Sequence, residues 1–319
     1  NIKGCIANGI DREAAEKIYD EIFAFANYAF NKAHAVCYAV VSYRTAYLKC
    51  HHPKEYLAAL LTSVLDAPAK ISEYIAEARE MGICVLPPDV NHSEDGFSVS
   101  GDNIRFGLAA IKNVGRGFMR QLVEARETNG AYQSLLDFCQ RLYDKELNRR
   151  ALESLIQAGA FDSMGFHRSQ LLAVFEQVVD AVANERKKNV EGQLGLFDMG
   201  MEDVKGREID MPNLPELNKR DLLVMEKKTT GMYLSGHPMD AYQELATRAH
   251  AAFIRKINED LSADATEPHY KDGMTVRLAC VVSNVRLKAT KAGNMMAYAI
   301  LEDISGTIEL VIFPNVLQQ

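Results

Sequence analysis

Apolar residues recur with helical spacing along most of the first 185 positions of the chain. The pattern begins directly after Asp11, a favoured N-cap residue, and ends at Gly82. It resumes at Leu108 and continues to about Asn184, interrupted by glycine-rich turns. The pattern therefore predicts a chain that is mainly α-helical up to this point.

Two regions alternate apolar and polar residues with the period of a β-strand. The first predicts a small hairpin of residues 97–99 and 104–106. The second predicts three strands near the C-terminus, at 275–287, 295–302 and 307–313. Residues 185–220 are rich in charge, glycine and proline, which is typical of a linker. The predicted fold is therefore multidomain: mainly α, then a linker, then a β-rich domain.

Charge is unevenly distributed along the chain, whose 319 residues carry a formal net charge of −7. Residues 22–54 contain four Lys or Arg and no Asp or Glu, and residues 105–150 contain nine Lys or Arg against five Asp or Glu. Two basic segments in an acidic background predict local contacts with nucleic acid. The net charge of −7 argues against a protein that coats nucleic acid along its whole length.

No apolar stretch approaches the roughly 20 residues of a membrane span, and the N-terminus has no signal-peptide pattern. We therefore expect a cytoplasmic protein without membrane contact. The chain opens without Met inside a helical pattern, which indicates a piece of a longer polypeptide. The consecutive residues Cys50, His51 and His52 cannot converge on one ion, so no metal site is predicted.

The first candidate site is the turn Asn113-Val114-Gly115-Arg116-Gly117 between two apolar stretches. Such a turn passes through left-handed backbone geometry, which Gly adopts freely and Asn tolerates. The following helix would offer free N–H groups and its positive end to a DNA phosphate, with Arg116 and Arg120 adding charge. Contacts of this kind position a duplex without reading its bases. The alternative is an ordinary helix corner with two glycines.

A degenerate second copy follows, with Gly159 in the turn before a helical stretch at 169–182. Phe161 stands where a second glycine is expected. Two hairpins would contact the two strands of a duplex, which makes Gly159 a further predicted DNA contact. Alternatively, the second copy only supports the first.

The linker contains a second candidate site, formed by Gln193, Leu194, Leu196 and Phe197. Apolar residues in a polar, flexible segment usually dock into a pocket of a partner. The pattern resembles the motif by which bacterial proteins bind the sliding clamp, with Gln193 at the pocket rim and Leu196 and Phe197 inside it. The alternative is that these residues pack back on the helical domain.

The C-terminal strands resemble the start of an OB-fold, in which the loop between the first two strands contacts nucleic acid. Arg286, Lys288 and Lys291 lie in or beside this loop and suit binding of a single-strand backbone. Charged loops are, however, more often simply solvated.

A third basic feature lies near the N-terminus. Residues 27–35 predict a loop of small, aromatic and basic residues that would let Lys32 and His34 reach a phosphate. Arg44 lies on the helix behind it and is a further possible contact to nucleotide or template.

Five phrases of the sequence together resemble the bacterial replicative DNA polymerase III alpha subunit. They are YAFNKAHA (28–35), LPPDVN (86–91), FGLAAIKNVG (106–115), LNRRALE (147–153) and YLSGHP (233–238). The resemblance implies four regions along the chain. These are the end of the polymerase fingers (1–90), a tandem helix-hairpin-helix domain (91–185), a linker with the clamp motif and short helices (186–270), and the first strands of an OB-fold (271–319).

The resemblance also implies an activity, which is DNA-templated DNA synthesis by nucleotidyl transfer with Mg²⁺ bound to palm aspartates in a D-x-D arrangement. This chain contains no D-x-D, so the palm is expected before Asn1, and neither a catalytic residue nor a cofactor is assigned to the chain. The implied partners are primer–template duplex, single-stranded template, the sliding clamp (beta subunit) and other replicase subunits. The alternative is a self-contained, non-enzymatic DNA-binding adaptor that tethers a sliding clamp.

Overall fold

The computed structural model describes residues 2–27, 32–143, 147–190, 210–262, 267–290 and 293–318. The helices are α1 (Ile2–Ala7), α2 (Arg12–Asn27), α3 (Lys32–His51), α4 (Pro53–Ser63), α5 (Pro68–Glu80), α6 (Arg116–Asn129), α7 (Leu135–Leu142), α8 (Arg149–Gln157), α9 (Arg168–Val190), α10 (Lys219–Thr230), α11 (Gln243–Arg248), α12 (Ile254–Asp260) and α13 (Pro314–Leu317). The strands are β1 (Val85–Leu86), β2 (Ser98–Ser100), β3 (Asn103–Arg105), β4 (Val281–Ala289), β5 (Met295–Asp303) and β6 (Gly306–Ile312). The predicted order, mainly α and then β, is confirmed.

The first three helices lie largely exposed. Asp11 caps α2 as predicted, because its Oδ2 atom accepts hydrogen bonds from the N–H groups of Glu13 (3.0 Å) and Ala14 (3.4 Å). Helix α3 buries no side chain among its residues. None of the described helices is both long enough and apolar enough to cross a membrane.

One continuous hydrophobic core extends from α4 to α9. Leu57 and Leu61 of α4 and Ile71 of α5 belong to the same buried cluster as Leu122 of α6 and Phe138 of α7. Burying side chains of this size contributes about 1.5–3 kcal/mol each. The core therefore continues across the boundary near residue 90 that the resemblance implies.

A small three-stranded sheet lies within this core region, in the order β1-β3-β2. Strands β2 and β3 form the predicted antiparallel hairpin, with Val99 opposite Ile104. Strand β1 pairs with β3 in parallel and was not predicted. Its two residues are too short for a periodic pattern to be visible.

Two segments differ from the prediction. The apolar stretch that begins at Leu108 was expected to form an α-helix, but it forms one 3-10 turn, Leu108–Ala110. Residues 185–220 were expected to be a linker with little core of its own, within a region of short helices that extends to residue 270. Met232 is instead buried in the main core, and Met211 and Leu234 pack against it. Residues 210–234 thus pack on the helical part of the protein.

The C-terminal strands form a separate antiparallel sheet in the order β4-β5-β6. It has a small core of its own, formed by Ile254 of α12 with Ala299 and Leu301 of β5. The three predicted strands are present, although β4 begins at Val281 and not at residue 275. The assignment of this sheet to an OB-fold stays a prediction.

Candidate nucleic-acid interface

The turn before α6 has the left-handed residue that the sequence predicted. Asn113 has φ 65°, and its side-chain Nδ2 donates a hydrogen bond to Ser154 Oγ of α8 at 3.1 Å. Ile111 and Val114 on either side are buried in the main core. The turn is therefore held in place both by packing and by a polar contact to the second hairpin.

Gly115 and Gly117 have no structural need to be glycine. Gly115 is the N-cap of α6 with φ −75° and ψ 142°, a conformation open to any residue, and no side chain caps the helix start. Gly117 lies in the first turn of α6. A Cβ atom built on either residue would have no neighbouring atom within 4 Å. The start of α6 is thus an open helix N-terminus whose backbone another molecule can approach closely.

Exposed basic side chains surround this helix start. Arg116 lies 3.3 Å from Asp66, and Arg120 lies 3.8 Å from Asp95. Exposed pairs of this kind contribute at most about 1 kcal/mol, so a phosphate can replace the carboxylates at little cost. Lys112, which is also exposed, lies in the same turn and was not among the predicted contacts. Its place in the basic segment 105–150 was the signal that would have identified it.

The second hairpin differs from the first in its connection and in its helix start. A 3-10 turn (Asp162–Met164) and left-handed Gly165 separate Gly159 from α9. Gly159 has φ 81°, and a Cβ atom there would lie 2.2 Å from the guanidinium group of Arg168. The N–H groups of Arg168 and Ser169, which begin α9, donate to the carboxylate of Glu216 at 2.8 and 3.2 Å. An internal carboxylate therefore occupies the position that a DNA phosphate would need.

The charge of Glu216 fits this capping role. Partial burial raises the pKa of Glu216, but hydrogen bonds donated by the N–H groups of Leu217, Arg168 and Ser169 outweigh that effect and hold the pKa below its usual value. Nothing in the sequence around Glu216 indicated this contact, because the residue lies 48 positions after Arg168. The close approach of Arg168 gives Gly159 a packing reason to be glycine, and the phosphate contact at Gly159 stays a prediction.

Arg168 joins the second hairpin to α10 through a buried network. Its guanidinium donates to Asp162 at 2.7 Å and to Glu226 at 3.1 Å, and Glu226 is fully buried. Glu226 also accepts hydrogen bonds from the N–H groups of Leu234 and Ser235. Every oxygen of this buried carboxylate thus has a partner, as a buried charge requires. The network explains why residues 210–235 pack on the helical part.

The predicted contacts near the N-terminus lie on α3. Lys32 and His34 were expected in a loop, but α3 begins at Lys32, so both belong to its first turn. The ring of His34 lies 4.4 Å from that of Tyr38. Arg44 is exposed about three turns further along the helix.

The basic residues of the C-terminal sheet lie on β4. Lys288 was expected in a loop, but β4 extends to Ala289, so Arg286 and Lys288 point to the same face of the strand. The ammonium group of Lys288 lies 5.9 Å from the centre of the Tyr298 ring. Lys291 lies outside the described residues, as do all four residues of the predicted clamp motif, Gln193, Leu194, Leu196 and Phe197. Within the described ranges, no group of three His, Cys, Asp or Glu side chains could hold a metal ion.

Comparison with known proteins agrees with this geometry. A family model described as a helix-hairpin-helix motif matches residues 82–171. The chain is 41% identical over 315 residues to the DNA polymerase III subunit alpha of Thermus aquaticus, covering 98% of the chain and 24% of the relative. It is 39% identical to the DNA polymerase III subunit alpha of Deinococcus radiodurans, covering 98% of the chain and 23% of the relative. It is 38% identical to that of Haemophilus influenzae, covering 99% of the chain and 27% of the relative.

The chain thus spans about a quarter of the length of these curated relatives. The matched hairpin model includes the open start of α6 and the filled start of α9. Over almost its whole length, the chain is homologous to a segment of the bacterial DNA polymerase III alpha subunit that contains a helix-hairpin-helix motif.

Proposed function

We propose that this chain positions primer–template DNA for a DNA polymerase III alpha subunit, and that the open start of α6 binds a phosphate of the duplex. The observation that carries the proposal is the pair of glycines, Gly115 and Gly117, which neither backbone torsion nor packing requires. A phosphate at a helix N-terminus needs close access to backbone N–H groups, and a glycine provides that access. The exposed Arg116 and Arg120 add positive charge.

The contrast with α9 supports the same proposal. Both helices follow a left-handed turn, but Glu216 already supplies an anion to the start of α9. The carboxylate of Glu216 is therefore an example, within the same chain, of an anion bound to a helix N-terminus. The open start of α6 is then the contact of this domain with the duplex, and the second hairpin supports it through Ser154.

Replacing both glycines by alanine should weaken DNA binding without preventing the protein from folding. The Gly115→Ala/Gly117→Ala variant should fold about as stably as the original. Ala is favoured over Gly by about 1 kcal/mol at the helical position of Gly117, and this gain offsets the loss at the N-cap position of Gly115, where Gly is preferred to Ala. Its affinity for duplex DNA should fall tenfold or more if methyl groups displace the phosphate, because a hydrogen bond to a charged group contributes about 1.5–3 kcal/mol. Fluorescence anisotropy with duplexes of several base sequences measures the loss, which should be the same for each.

A matched control is available in α1. Gly4 is also a helical glycine with no atom near its missing Cβ, and Gly4→Ala should leave duplex affinity unchanged. If the Gly115→Ala/Gly117→Ala variant binds duplex as tightly as the original protein does, the phosphate site proposed at α6 is wrong.

The sliding clamp and single-stranded template are proposed as further partners. Residues Gln193, Leu194, Leu196 and Phe197 would bind the clamp, and Arg286, Lys288 and Lys291 would contact single-stranded template. Lys32, His34 and Arg44 would face nucleotide or template in the complete polymerase. That polymerase would supply the Mg²⁺-dependent nucleotidyl transfer, and we expect this chain to be inactive alone.

The clamp contact has a direct test. Leu196→Ala/Phe197→Ala should abolish binding to the clamp in surface plasmon resonance, because two apolar anchors usually dominate such a contact. Duplex affinity should stay the same. Unchanged clamp binding by the variant would refute the proposal.

A further inference from the structure

The helical part and the C-terminal sheet have separate hydrophobic cores. The cluster that includes Met232 does not contain Ile254, Ala299 or Leu301, which form the second one. Among the described residues, two ion pairs join these parts: Lys227 with Glu302, and Arg255 with Glu80. These ion pairs therefore contribute to the orientation of the sheet relative to the helical part.

The Lys227–Glu302 pair has the better geometry for fixing an orientation. Lys227 Nζ lies 2.8 and 2.9 Å from the two carboxylate oxygens of Glu302. The same ammonium group lies 4.7 Å from the centre of the Tyr233 ring. The side chains are 29% and 12% exposed. Water is partly excluded, so the pair is screened less than a surface pair would be.

The helix that carries Lys227 also holds the hairpin turn. The carbonyl oxygen of Thr229, two residues further along α10, accepts a hydrogen bond from the N–H of Lys112 at 2.8 Å. Glu226, the preceding residue, is bound to Arg168 of the second hairpin. The last turn of α10 therefore touches both hairpins and the sheet within four residues.

The position of Glu302 means that a small change at the ion pair would move the far end of the sheet. It lies near one end of β5, whereas Lys288 pairs with Met296 near the other end. Glu302 lies six positions after Met296 along the strand, which corresponds to about 20 Å. A rotation of about 15° at Glu302 would move the basic end of the sheet by about 5 Å over that length.

We propose that Lys227 and Glu302 are positioning residues that hold the basic end of the sheet, with Arg286 and Lys288, at a fixed distance from the duplex turn at Asn113–Gly117. This proposal rests on the proposed function, in which the turn binds duplex and the sheet contacts single strand. The pair would then determine how much the single strand adds to the affinity for primed template. It would not affect the affinity for duplex alone.

Charge reversal and exchange in the full-length protein that carries this chain test the proposal. Lys227→Glu and Glu302→Lys each place like charges together, and the Lys227→Glu/Glu302→Lys variant restores an opposite pair. Affinity is measured for a blunt duplex and for the same duplex with a single-stranded 5′ extension. Each single variant should bind the extended DNA roughly fivefold more weakly, the lower range of coupling between sites. Blunt-duplex affinity should not change, and the double variant should recover.

Two milder variants test the same proposal with less risk of unfolding the protein. Lys227→Gln and Glu302→Gln remove one charge each without introducing repulsion, and thermal unfolding monitors their stability. They should reduce the affinity ratio between extended and blunt DNA in the same direction as the charge reversals do.

Three results would overturn the inference: equal loss on both DNAs, no loss on the extended DNA, or no recovery on exchanging the charges. The proposed function fails separately, when Gly115→Ala/Gly117→Ala leaves blunt-duplex affinity unchanged.

Discussion

Asn113 combines a backbone role and a side-chain role at the centre of the hairpin turn. Its φ of 65° lies in the left-handed region, where a residue with a Cβ is strained by roughly 1–2 kcal/mol unless a polar side chain compensates. Its side chain meets Ser154 of α8, and through this contact the second hairpin supports the first. A glycine at this position would satisfy the backbone but would lose the link.

Substitutions at Asn113 separate the two roles. Asn113→Gly should lower the free energy of unfolding by about 1 kcal/mol, the contribution of one hydrogen bond. Asn113→Ala loses that bond and adds backbone strain, so it should cost about 2–3 kcal/mol in total. Urea unfolding of both variants measures the difference. Equal effects of Gly and Ala would show that backbone strain plays no part.

At the scale of elements, two helices with similar starts have different roles. Helix α6 begins open at Gly115, and α9 begins on the carboxylate of Glu216. The cap on α9 comes from a residue far away in sequence, so it ties the segment after residue 209 to the second hairpin. Its contribution to stability depends on the charge of Glu216.

The Glu216→Gln variant should be less stable by about 1 kcal/mol at neutral pH, the usual contribution of a cap and of a charge at a helix end. Since the pKa of Glu216 is lowered in the folded protein, its contribution is complete above its usual pKa and disappears as pH falls through the folded value. The stability difference between original and variant should therefore vanish in acid. Chemical unfolding at a series of pH values, from neutral down into the acid range, measures it.

Glu124→Gln is the control, because Glu124 is exposed on α6. This variant should show no comparable loss at neutral pH. A Glu216→Gln difference that stayed constant with pH would mean that the carboxylate charge does not act on α9.

Prediction from sequence was better for whole elements than for their ends. The N-cap at Asp11, the hairpin of β2 and β3 and the three C-terminal strands follow from local patterns, and all are present. Lys32, His34 and Lys288 were assigned to loops but lie in regular structure at element ends. Element ends depend on a few hydrogen bonds that periodicity does not report.

At the scale of the whole molecule, the two hydrophobic cores differ in size and in how completely they are buried from solvent. The main core includes fully buried side chains from the six helices α4 to α9, among them Leu61, Leu122, Phe138 and Leu155. In the C-terminal sheet, every residue of β4 after Val281 is exposed. Local stability follows buried apolar contact, so the two parts should open with different free energies.

Hydrogen exchange should therefore proceed in two stages. Amides of β4 to β6 should exchange faster than those of α6 to α9, by about tenfold or more in the folded protein. Exchange followed by mass spectrometry on peptides from each region measures the rates. Similar protection in the two regions would mean that the sheet and the helices unfold as one unit.

The sequence alone determined the local features of this protein: the helical and strand periods, the left-handed turn at Asn113 and the two basic segments. Each depends on residues close together in the chain, where spacing and side-chain chemistry suffice. Only the tertiary structure decided that α6 begins open and α9 begins filled, and that Lys227 joins the hairpins to the sheet. These contacts join residues about 50 or more positions apart, and their formation depends on how the elements pack, which no local pattern records.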